Sequence, residues 1–423
     1  MSVTFKKLKI NEWQQFQSID VDFHERLTIL TGANGSGKTT ILSKLLAVHF
    51  GWGAQSLSTP KKEKKTGRFS FFTRLYNGEV RDQNNDNIIG ELCYSDGAAA
   101  KLIVPNQGSN NPQYQIQIQG QQGVQCFFIP SHRSVFRYQP ISNIPFQKKN
   151  TQAAFNEVSN SEKQRYAGNR GDATSFHMKN TLLGWAINGY GVNNNAGKEI
   201  MLGDEEQIEH FEGFKDVLKE ILPKTLGFDD FEIREREIVF VCNQGRDEFI
   251  LEQASGGISA IIDFAWQIYM YSVGKDSFTV IIDEVENHLH PILQRQILPD
   301  LLKAFPAACF VVSTHSPLVI GSVQDSNIYV LQYNDNGKII SQKLDLKKKA
   351  KTATEILDDV LGVSFTMPAW AEERLEEIIK KYLTKDMTGA EFEQMREELR
   401  SGGLESLMPE AISSIVENKN DQN

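Results

Sequence analysis

One short segment of the sequence has the residue types and the spacing of a phosphate-binding loop. Residues 32–39 read GANGSGKT, which fits the pattern G-x-x-x-x-G-K-[ST]. An apolar run that ends at Leu30 predicts a buried strand before the loop, and the residues from Thr40 onward predict a helix after it. In this setting backbone N–H groups and the positive end of the helix converge on phosphate oxygens. The segment therefore predicts that the chain binds ATP or GTP.

The members of this loop have separate expected roles. Lys38 is expected to reach the β- and γ-phosphates, and the Thr39 hydroxyl is expected to hold Mg²⁺. The predicted nucleotide-binding residues of the segment are Gly32, Asn34, Gly35, Ser36, Gly37, Lys38, Thr39 and Thr40.

A second chemical feature is an apolar strand that ends in two carboxylates. Residues 278–282 read FTVII and are followed by Asp283 and Glu284. Asp283 is expected to bind Mg²⁺ through water, and Glu284 is expected to orient or deprotonate the attacking water. The alternative is an acidic turn after a strand. The upstream phosphate loop favours the metal-binding interpretation, because such a loop needs a carboxylate of this kind.

Two further segments complete the candidate site. Ser255, Gly256 and Gly257 stand at the start of an apolar helical pattern and could form a second anion cradle, although Gly-Gly is common in turns. The apolar run 309–312 precedes His315, which is expected to hydrogen-bond the γ-phosphate, although a lone histidine is more often structural. The predicted catalytic residues are thus Lys38, Glu284 and His315.

Composition narrows the class of protein. The chain has 423 residues, enough for two or three core-bearing units, and 40% of them are hydrophobic. No apolar run approaches the roughly 20 residues of a membrane span, and the first residues are too charged for a secretory signal, so a cytoplasmic location is expected. The formal charge of −9 argues against a dedicated nucleic-acid coat. Two basic clusters, at 61–68 and 347–351, leave local DNA contact open but not favoured.

The remaining residues predict the elements that must position these segments. Strands are expected at 3–10 and 16–23, and a period of two from 68 to 129 predicts an antiparallel layer, in which 114–118 is one half-buried strand. The polar stretch 137–176 is interpreted as a loop-rich insertion, followed by helices at about 178–188 and 205–222, the second with Asp204 as N-cap. Helices are also expected at 354–361, 371–383 and 391–399.

These patterns predict a division of the chain into four segments. They are the N-terminal part of an ATPase head (1–136), a polar insertion with a helical subdomain (137–245), the C-terminal part of the head (246–345) and a helical C-terminal region (346–423). The fold class is therefore α/β.

As an ordered set, the four motifs resemble the ABC-type ATPases of the RecF, SMC and OLD group. The resemblance rests on residues 32–40, 255–257, 278–291 and 313–317. It implies a P-loop NTPase head that uses ATP and Mg²⁺, in which Ser255, Gly256 and Gly257 close over the nucleotide held by a second protomer. It also implies a homo-oligomer, with an ATP-sandwich dimer as the minimum and a higher ring such as a hexamer as an alternative.

Residues 354–362 and the helices after them are similar to the tail of the stand-alone ATPases of bacterial anti-phage systems. The length of the chain, its glutamine-rich strands and its helical tail resemble the ATPase subunits of the PARIS system most, and the ATPases of the Septu system and of retrons are close alternatives. This resemblance implies a sensor or scaffold subunit that responds to a phage protein and controls a separate Toprim-type nuclease. A RecF-like, ATP-gated DNA clamp is the alternative function.

The sequence also departs from the group's pattern. The signature segment reads ASGGI and lacks the glutamine that often closes it. No Gln loop can be placed, and His132, Arg133 and Gln139 are the candidates for its role. His288 and His290 are spaced for a metal, but no third ligand is evident, so a structural loop is favoured.

Overall fold

In a computed structural model, the chain is described over residues 2–53, 55–58, 60–62, 69–71, 87–105, 113–344, 369–383, 385 and 388–420. It divides into a larger compact unit, residues 1–356, and a smaller one, residues 357–423. None of the helices within these ranges is long and apolar enough to cross a bilayer. The predicted helix at 354–361 and the basic cluster at 347–351 lie outside the described residues.

Within the described residues, eleven strands of the larger unit form one mixed sheet. In spatial order they are β10 (Gln117–Gln119), β8 (Ala99–Val104), β7 (Asn87–Tyr94), β1 (Phe5–Trp13), β2 (Phe16–Asp22), β20 (Ile339–Leu344), β19 (Asn327–Tyr333), β3 (Leu27–Thr31), β18 (Ala308–Ser313), β17 (Phe278–Ile282) and β11 (Cys126–Ile129).

The sheet has a parallel half and an antiparallel half. Strands β11, β17, β18, β3 and β19 are parallel neighbours, whereas β2, β1, β7, β8 and β10 pair antiparallel. Every residue of β3, β17 and β18 is buried, as expected of strands covered on both faces. The predicted antiparallel layer is therefore present, but it continues the nucleotide-binding sheet and does not form a separate sheet beside it.

Smaller sheets occupy the connections. They pair β4 (Ser56–Leu57) with β9 (Gln113–Tyr114), β5 (Pro60–Lys62) with β6 (Phe69–Phe71), β12 (Val192–Asn193) with β13 (Glu199–Met201), and β14 (Phe228–Arg234) with β15 (Glu237–Cys242) and β16 (Asp247–Ile250). The single strand predicted at 114–118 is wrong, because β9 and β10 pair with different partners on either side of Ile116. Alternation of side chains alone cannot reveal a change of partner strand.

Helices cover the parallel half and form the smaller unit. In the larger unit they are α1 (Lys38–Ile41), α2 (Thr151–Tyr166), α3 (Thr174–Tyr190), α4 (Glu205–Ile221), α5 (Gly256–Ser272), α6 (Pro291–Ala304) and α7 (Pro317–Ile320). In the smaller unit they are α8 (Ala369–Leu383), α9 (Gly389–Ser401) and α10 (Met408–Asn420), which share an apolar core.

Two helix predictions have clear outcomes. Helix α4 begins after Asp204, whose side chain accepts hydrogen bonds from two backbone N–H groups of the first turn, so the predicted N-cap is confirmed. The loop-rich interpretation of 137–176 is wrong, because α2 lies within it. Helix α2 buries only a narrow apolar stripe that includes Phe155 and Val158, and several of its other buried residues are polar. The polar composition of this segment therefore did not indicate a helix.

Candidate nucleotide site

The topology brings the predicted segments to one edge of the sheet. Residues 32–39 follow β3, Asp283 follows β17, and His315 follows β18 by two residues. Since β18 lies between β3 and β17 and all three are parallel, their carboxyl ends are adjacent. Ligands of open parallel sheets bind outside this edge. Segments up to 283 residues apart in the sequence thus face one space, since His315 follows Gly32 by that distance.

The phosphate loop adopts a backbone that requires glycine. Gly32 has a φ of +136°, and a Cβ there would lie 2.2 Å from the Leu331 carbonyl oxygen. Gly37 has a φ of +90°, and a Cβ there would lie 2.3 Å from the Phe16 ring. At both positions a larger residue is therefore disfavoured by the positive φ and by the steric clash of its Cβ. Asn34 and Gly35, between them, are exposed.

Lys38 lies beneath this loop. Its side chain is 5% exposed, and its ammonium donates to the carbonyl oxygens of Gly32 (2.9 Å) and Ala33 (3.1 Å). Burial lowers the pKa of Lys38 from 10.5 to about 8, and the nearby carboxylates of Asp283 and Glu284 oppose the shift. A buried cation with only two neutral acceptors is suited to bind an anion at the loop.

A hydrogen-bond network joins the phosphate loop to the acidic turn. Thr39 Oγ1 donates to Asp283 Oδ2 (2.9 Å), and Ser313 Oγ donates to Asp283 Oδ1 (2.6 Å). Ser313 Oγ also accepts from the backbone N–H of Glu284 (2.8 Å). Burial raises the pKa of Asp283, although both hydroxyl donors favour its ionised form. The hard oxygens of Thr39 and Asp283 are of the type that Mg²⁺ binds, so the two predicted metal-binding residues fit that ion.

Glu284 and His315 lie beside each other at this edge. Glu284 Oε1 is 3.9 Å from His315 Nε2, and Glu284 Oε2 accepts from Asn287 Nδ2 (2.7 Å). Burial and the charge of Lys38 lower the pKa of His315, so the imidazole is neutral at neutral pH. The His315 backbone N–H donates to the carboxylate of Glu286. A carboxylate and a neutral imidazole therefore stand next to the Thr39–Asp283 pair.

Several residues of this site were missed by the sequence analysis. Ser313, Asn287 and Glu286 position predicted residues, and each lies within three residues of one of them in sequence. Ser313 could have been found, because it is the last residue of the strand beside β17. Arg133 was considered only for the Gln loop, yet it is buried and contacts the acidic turn.

The three candidates for the Gln loop have different surroundings. Gln139 contacts Asp172 and Ala173, and the His132 ring contacts Ser131. Only Arg133 of the three has a hydrogen bond to the acidic turn in the described part of the chain. The Gln loop itself thus stays unassigned.

The two histidines of the next loop have structural surroundings. His290 is the N-cap of α6 and accepts from the Ile292 N–H, whereas His288 adopts a left-handed backbone with φ +69°. The described residues contain no group of three or more metal-ligating side chains.

The Ser-Gly-Gly segment lies beside the loop that follows the acidic turn, since a Cβ on Gly257 would be 3.2 Å from the His288 carbonyl oxygen. Ser255 is the N-cap of α5, and both Ser255 and Gly256 are exposed. Within the described ranges, no hydrogen bond or ion pair joins 254–257 to the phosphate loop or to Asp283 and Glu284. A Cβ on Gly256 would meet nothing within 4 Å. Ser255 and Gly256 are therefore accessible to another molecule. The prediction that the segment closes over a partner's nucleotide requires this accessibility.

A buried ion triad fixes the residues just before this segment. Lys179 Nζ, fully buried on α3, lies 2.7 Å from Glu237 Oε2 and 2.7 Å from Glu252 Oε1. Glu252 precedes Ser255 by three residues and its side chain is 2% exposed. The triad therefore joins Glu252, three residues before the exposed segment, to α3 and β15. Removing Lys179 would leave the buried carboxylate of Glu252 without its cation.

Two known family models match segments of the chain. Residues 155–321 match the family model described as "AAA domain, putative AbiEii toxin, Type IV TA system", and residues 5–51 match the "P-loop containing region of AAA domain".

Curated relatives include named ATPases. The chain is 29% identical over 157 residues to Septu protein PtuA of Bacillus mycoides, covering 36% of this chain and 21% of the relative. It is 26% identical over 179 residues to the Retron Ec83 probable ATPase of Escherichia coli, covering 40% of this chain and 31% of the relative. It is 22% identical over 392 residues to Septu protein PtuA of Bacillus thuringiensis, covering 89% of each. The chain thus spans about a third or less of the first two relatives.

Among solved structures, the SMC head domain from Thermotoga maritima aligns with a TM-score of 0.41 and 15% identity, covering 80% of this chain and 98% of that domain.

The sheet, the phosphate loop, the Asp283–Glu284 turn and the family matches define the chain as a P-loop ATPase. The matches to Septu protein PtuA and to the retron ATPase confirm the predicted similarity to proteins of the Septu and retron systems. The closer resemblance to PARIS subunits stays a prediction.

Proposed function

We propose that this chain is the ATP-binding and ATP-hydrolysing subunit of an anti-phage defence complex, in which it senses infection and controls a separate nuclease effector. The observation that carries the ATPase part is the continuous network from Thr39 through Asp283 and Ser313 to the Glu284 N–H. The network ties the phosphate loop to the residue that is expected to position water. The defence part is supported by the similarity to Septu and retron proteins.

The residues divide the work of hydrolysis. The 32–39 backbone and Lys38 would hold the triphosphate, with Thr39 and Asp283 as the ligands that hold Mg²⁺. Bound there, Mg²⁺ would neutralise charge between the β- and γ-phosphates. Glu284 would orient the attacking water and accept its proton. His315, neutral and 3.9 Å from Glu284, would donate a hydrogen bond to the γ-phosphate.

The second half of the site would come from another copy of the chain. Ser255 and Gly256 are exposed at the start of α5, whereas the residues that hold nucleotide lie at the sheet edge. A helix N-terminus with free N–H groups is suited to bind a phosphate. Two protomers would therefore enclose ATP between them, and hydrolysis would release them. Such a cycle acts as a switch, so turnover would be slow.

The test of the ATPase is release of phosphate from ATP by the purified chain. The test of the defence role is expression with the chain's genomic neighbours, followed by purification and mass measurement with and without ATP. Co-purification of a nuclease, in an assembly whose mass changes with ATP, is the expected result. Tight DNA binding with a steep salt dependence and no nuclease would instead favour the RecF-like clamp.

A further inference from the structure

Arg133 is buried and its guanidinium binds one turn of the chain. The side chain follows β11, and the residue is 8% exposed. Its terminal nitrogens donate to the carbonyl oxygens of Glu284 (2.7 Å) and Asn287 (2.9 Å), with a weaker contact to that of Asp283 (3.4 Å). All three acceptors belong to the acidic turn that carries the candidate catalytic carboxylate. One planar group thus fixes the backbone at both ends of residues 284–287.

This turn has a backbone that needs outside support. Glu284 has a φ of +48° and His288 a φ of +69°, values that residues other than glycine seldom adopt. A strained backbone persists only where contacts with the surrounding structure hold it in place, and such positions cluster at active sites. The Arg133 donors satisfy carbonyls that this unusual conformation directs into the protein.

The same guanidinium contacts helix α5. Its central carbon lies 4.3 Å from the centre of the Phe264 ring, a cation–π contact. The neighbouring Asp263 is buried, and Gln267 Nε2 donates both to Asp263 Oδ2 (3.2 Å) and to Glu162 Oε1 (3.0 Å) of helix α2. Asp263 supplies negative charge near the buried cation. Arg133 therefore lies between the acidic turn and the helix that begins at Ser255 and Gly256.

We propose that Arg133 is a positioning residue for ATP hydrolysis: it holds Glu284 in its catalytic backbone conformation and mechanically links that conformation to α5. When a ligand engages the exposed start of α5, a displacement of that helix would reach Glu284 through Phe264 and Arg133. The inference rests on the proposed ATPase function. It assigns Arg133 no contact with nucleotide, because both terminal nitrogens of the guanidinium donate to the turn.

The chemistry of the side chain makes the proposal testable. Lysine keeps the charge, but a single ammonium lacks the planar fork that reaches carbonyls at both ends of the turn. R133K is therefore expected to lower kcat about 10-fold to 100-fold, the cost of a small misplacement of a catalytic group. The Kd for a non-hydrolysable ATP analogue should change less than about threefold, because the phosphate loop is untouched.

Arg165 offers a matched control. It lies near the same buried acids and donates to the Asp172 carbonyl oxygen, but among the described contacts it has none with the acidic turn. R165K is expected to retain the wild-type kcat and Kd. A second variant, F264L, removes the aromatic contact while leaving Arg133 in place, and it keeps the proposal testable if R133K does not fold. F264L is expected to lower kcat with Kd unchanged.

The experiment measures kcat, analogue Kd and thermal unfolding for the full chain and these three variants. A lower kcat at constant Kd in R133K and F264L, with R165K unchanged, supports the proposal. It is overturned if folded R133K hydrolyses ATP within twofold of wild type, or if kcat and Kd deteriorate together. An inactive wild-type chain would contradict the proposed ATPase function instead, so the two failures are distinguishable.

Discussion

At the scale of single residues, the site depends on Asp283, which two hydroxyls hold from opposite sides. Thr39 brings the phosphate loop to one carboxylate oxygen, and Ser313 brings the neighbouring strand to the other. Ser313 Oγ also accepts a hydrogen bond from the Glu284 N–H, so the same hydroxyl positions both acidic residues. The carboxylate of Asp283 and the backbone of Glu284 are consequently linked through the Ser313 hydroxyl.

Replacing Lys38 tests the anion-binding role of the loop. K38A removes the buried ammonium that donates to the loop carbonyls and would reach the β- and γ-phosphates. We expect at least about a tenfold loss of ATP affinity, since a charge-assisted hydrogen bond contributes roughly 1.5–3 kcal/mol. Titration with a fluorescent ATP analogue measures it. Tight binding retained by K38A would contradict the assignment of the phosphate loop.

Replacing Glu284 separates binding from chemistry. E284Q keeps the size of the side chain and its contact with Asn287, but it cannot accept the proton of the attacking water. We expect ATP binding close to wild type, a fall in kcat of about 100-fold or more, and accumulation of closed assemblies on size-exclusion chromatography. Normal turnover by this variant would show that another group orients the water.

At the scale of elements, helices α2 and α5 bury two carboxylic acids against each other. Burial, then the neighbouring Asp263, raises the pKa of Glu162 from 4.5 to about 8, and burial also raises the pKa of Asp263. Arg133, Arg165 and the Gln267 amide oppose the shift. The folded chain thus keeps a proton that the unfolded chain releases. Its contribution to stability is complete below pH 4.5 and is lost as the pH rises through about 8.

The E162Q variant tests this pH dependence. A neutral amide at position 162 can still accept from Gln267, but it never ionises. We expect the Tm of E162Q, relative to wild type, to increase between pH 6 and pH 9, because only wild type then buries a second negative charge. Differential scanning calorimetry over that range measures the change.

Glu248 on β16 provides the control. Hydrogen bonds from Arg234 lower the pKa of Glu248, so its carboxylate is ionised throughout pH 6–9. The arginine also keeps its charge in this range, and the Tm difference between E248Q and wild type should therefore not change with pH. A parallel drift in both variants would argue against titration of the buried pair.

At the scale of the whole molecule, one chain holds only part of the proposed site. Lys38, Asp283, Glu284 and His315 meet at the sheet edge, whereas Ser255 is exposed at the start of α5. Closure by a second copy would unite the two parts. A twofold symmetric dimer would then enclose two nucleotides in one interface, in two equivalent sites.

Mixing two inactive variants tests this arrangement. S255R blocks the Ser-Gly-Gly segment of a protomer but leaves its phosphate loop intact. K38A disables the phosphate loop of a protomer but leaves its Ser-Gly-Gly segment intact. Each variant alone should hydrolyse no ATP, and S255R should still bind it. A mixture should recover activity, because the heterodimer contains one site with an intact loop and an intact Ser255. Loss of ATP binding by S255R, or no recovery in the mixture, would mean that the segment acts within one chain.

The sequence alone determined the parts whose chemistry is local. The glycines of 32–37 are required by backbone conformations and contacts at those positions, and the apolar run 278–282 predicts a buried strand from composition alone. Asp204 likewise caps α4 through hydrogen bonds within one helical turn. Such features depend on residues a few positions apart, so their spacing in the sequence is sufficient.

The tertiary structure decided which distant groups meet. Ser313 and Arg133 lie 30 and 150 residues from Asp283, and only the order of parallel strands brings them to it. The sequence did not predict helix α2, because the burial of polar residues such as its Glu162 depends on neighbours from elsewhere in the fold. It also did not predict that β9 and β10 pair with different strands, since the pairing of short strands depends on such neighbours too. Local patterns specify chemistry that short-range contacts impose, whereas long-range packing determines which side chains support it.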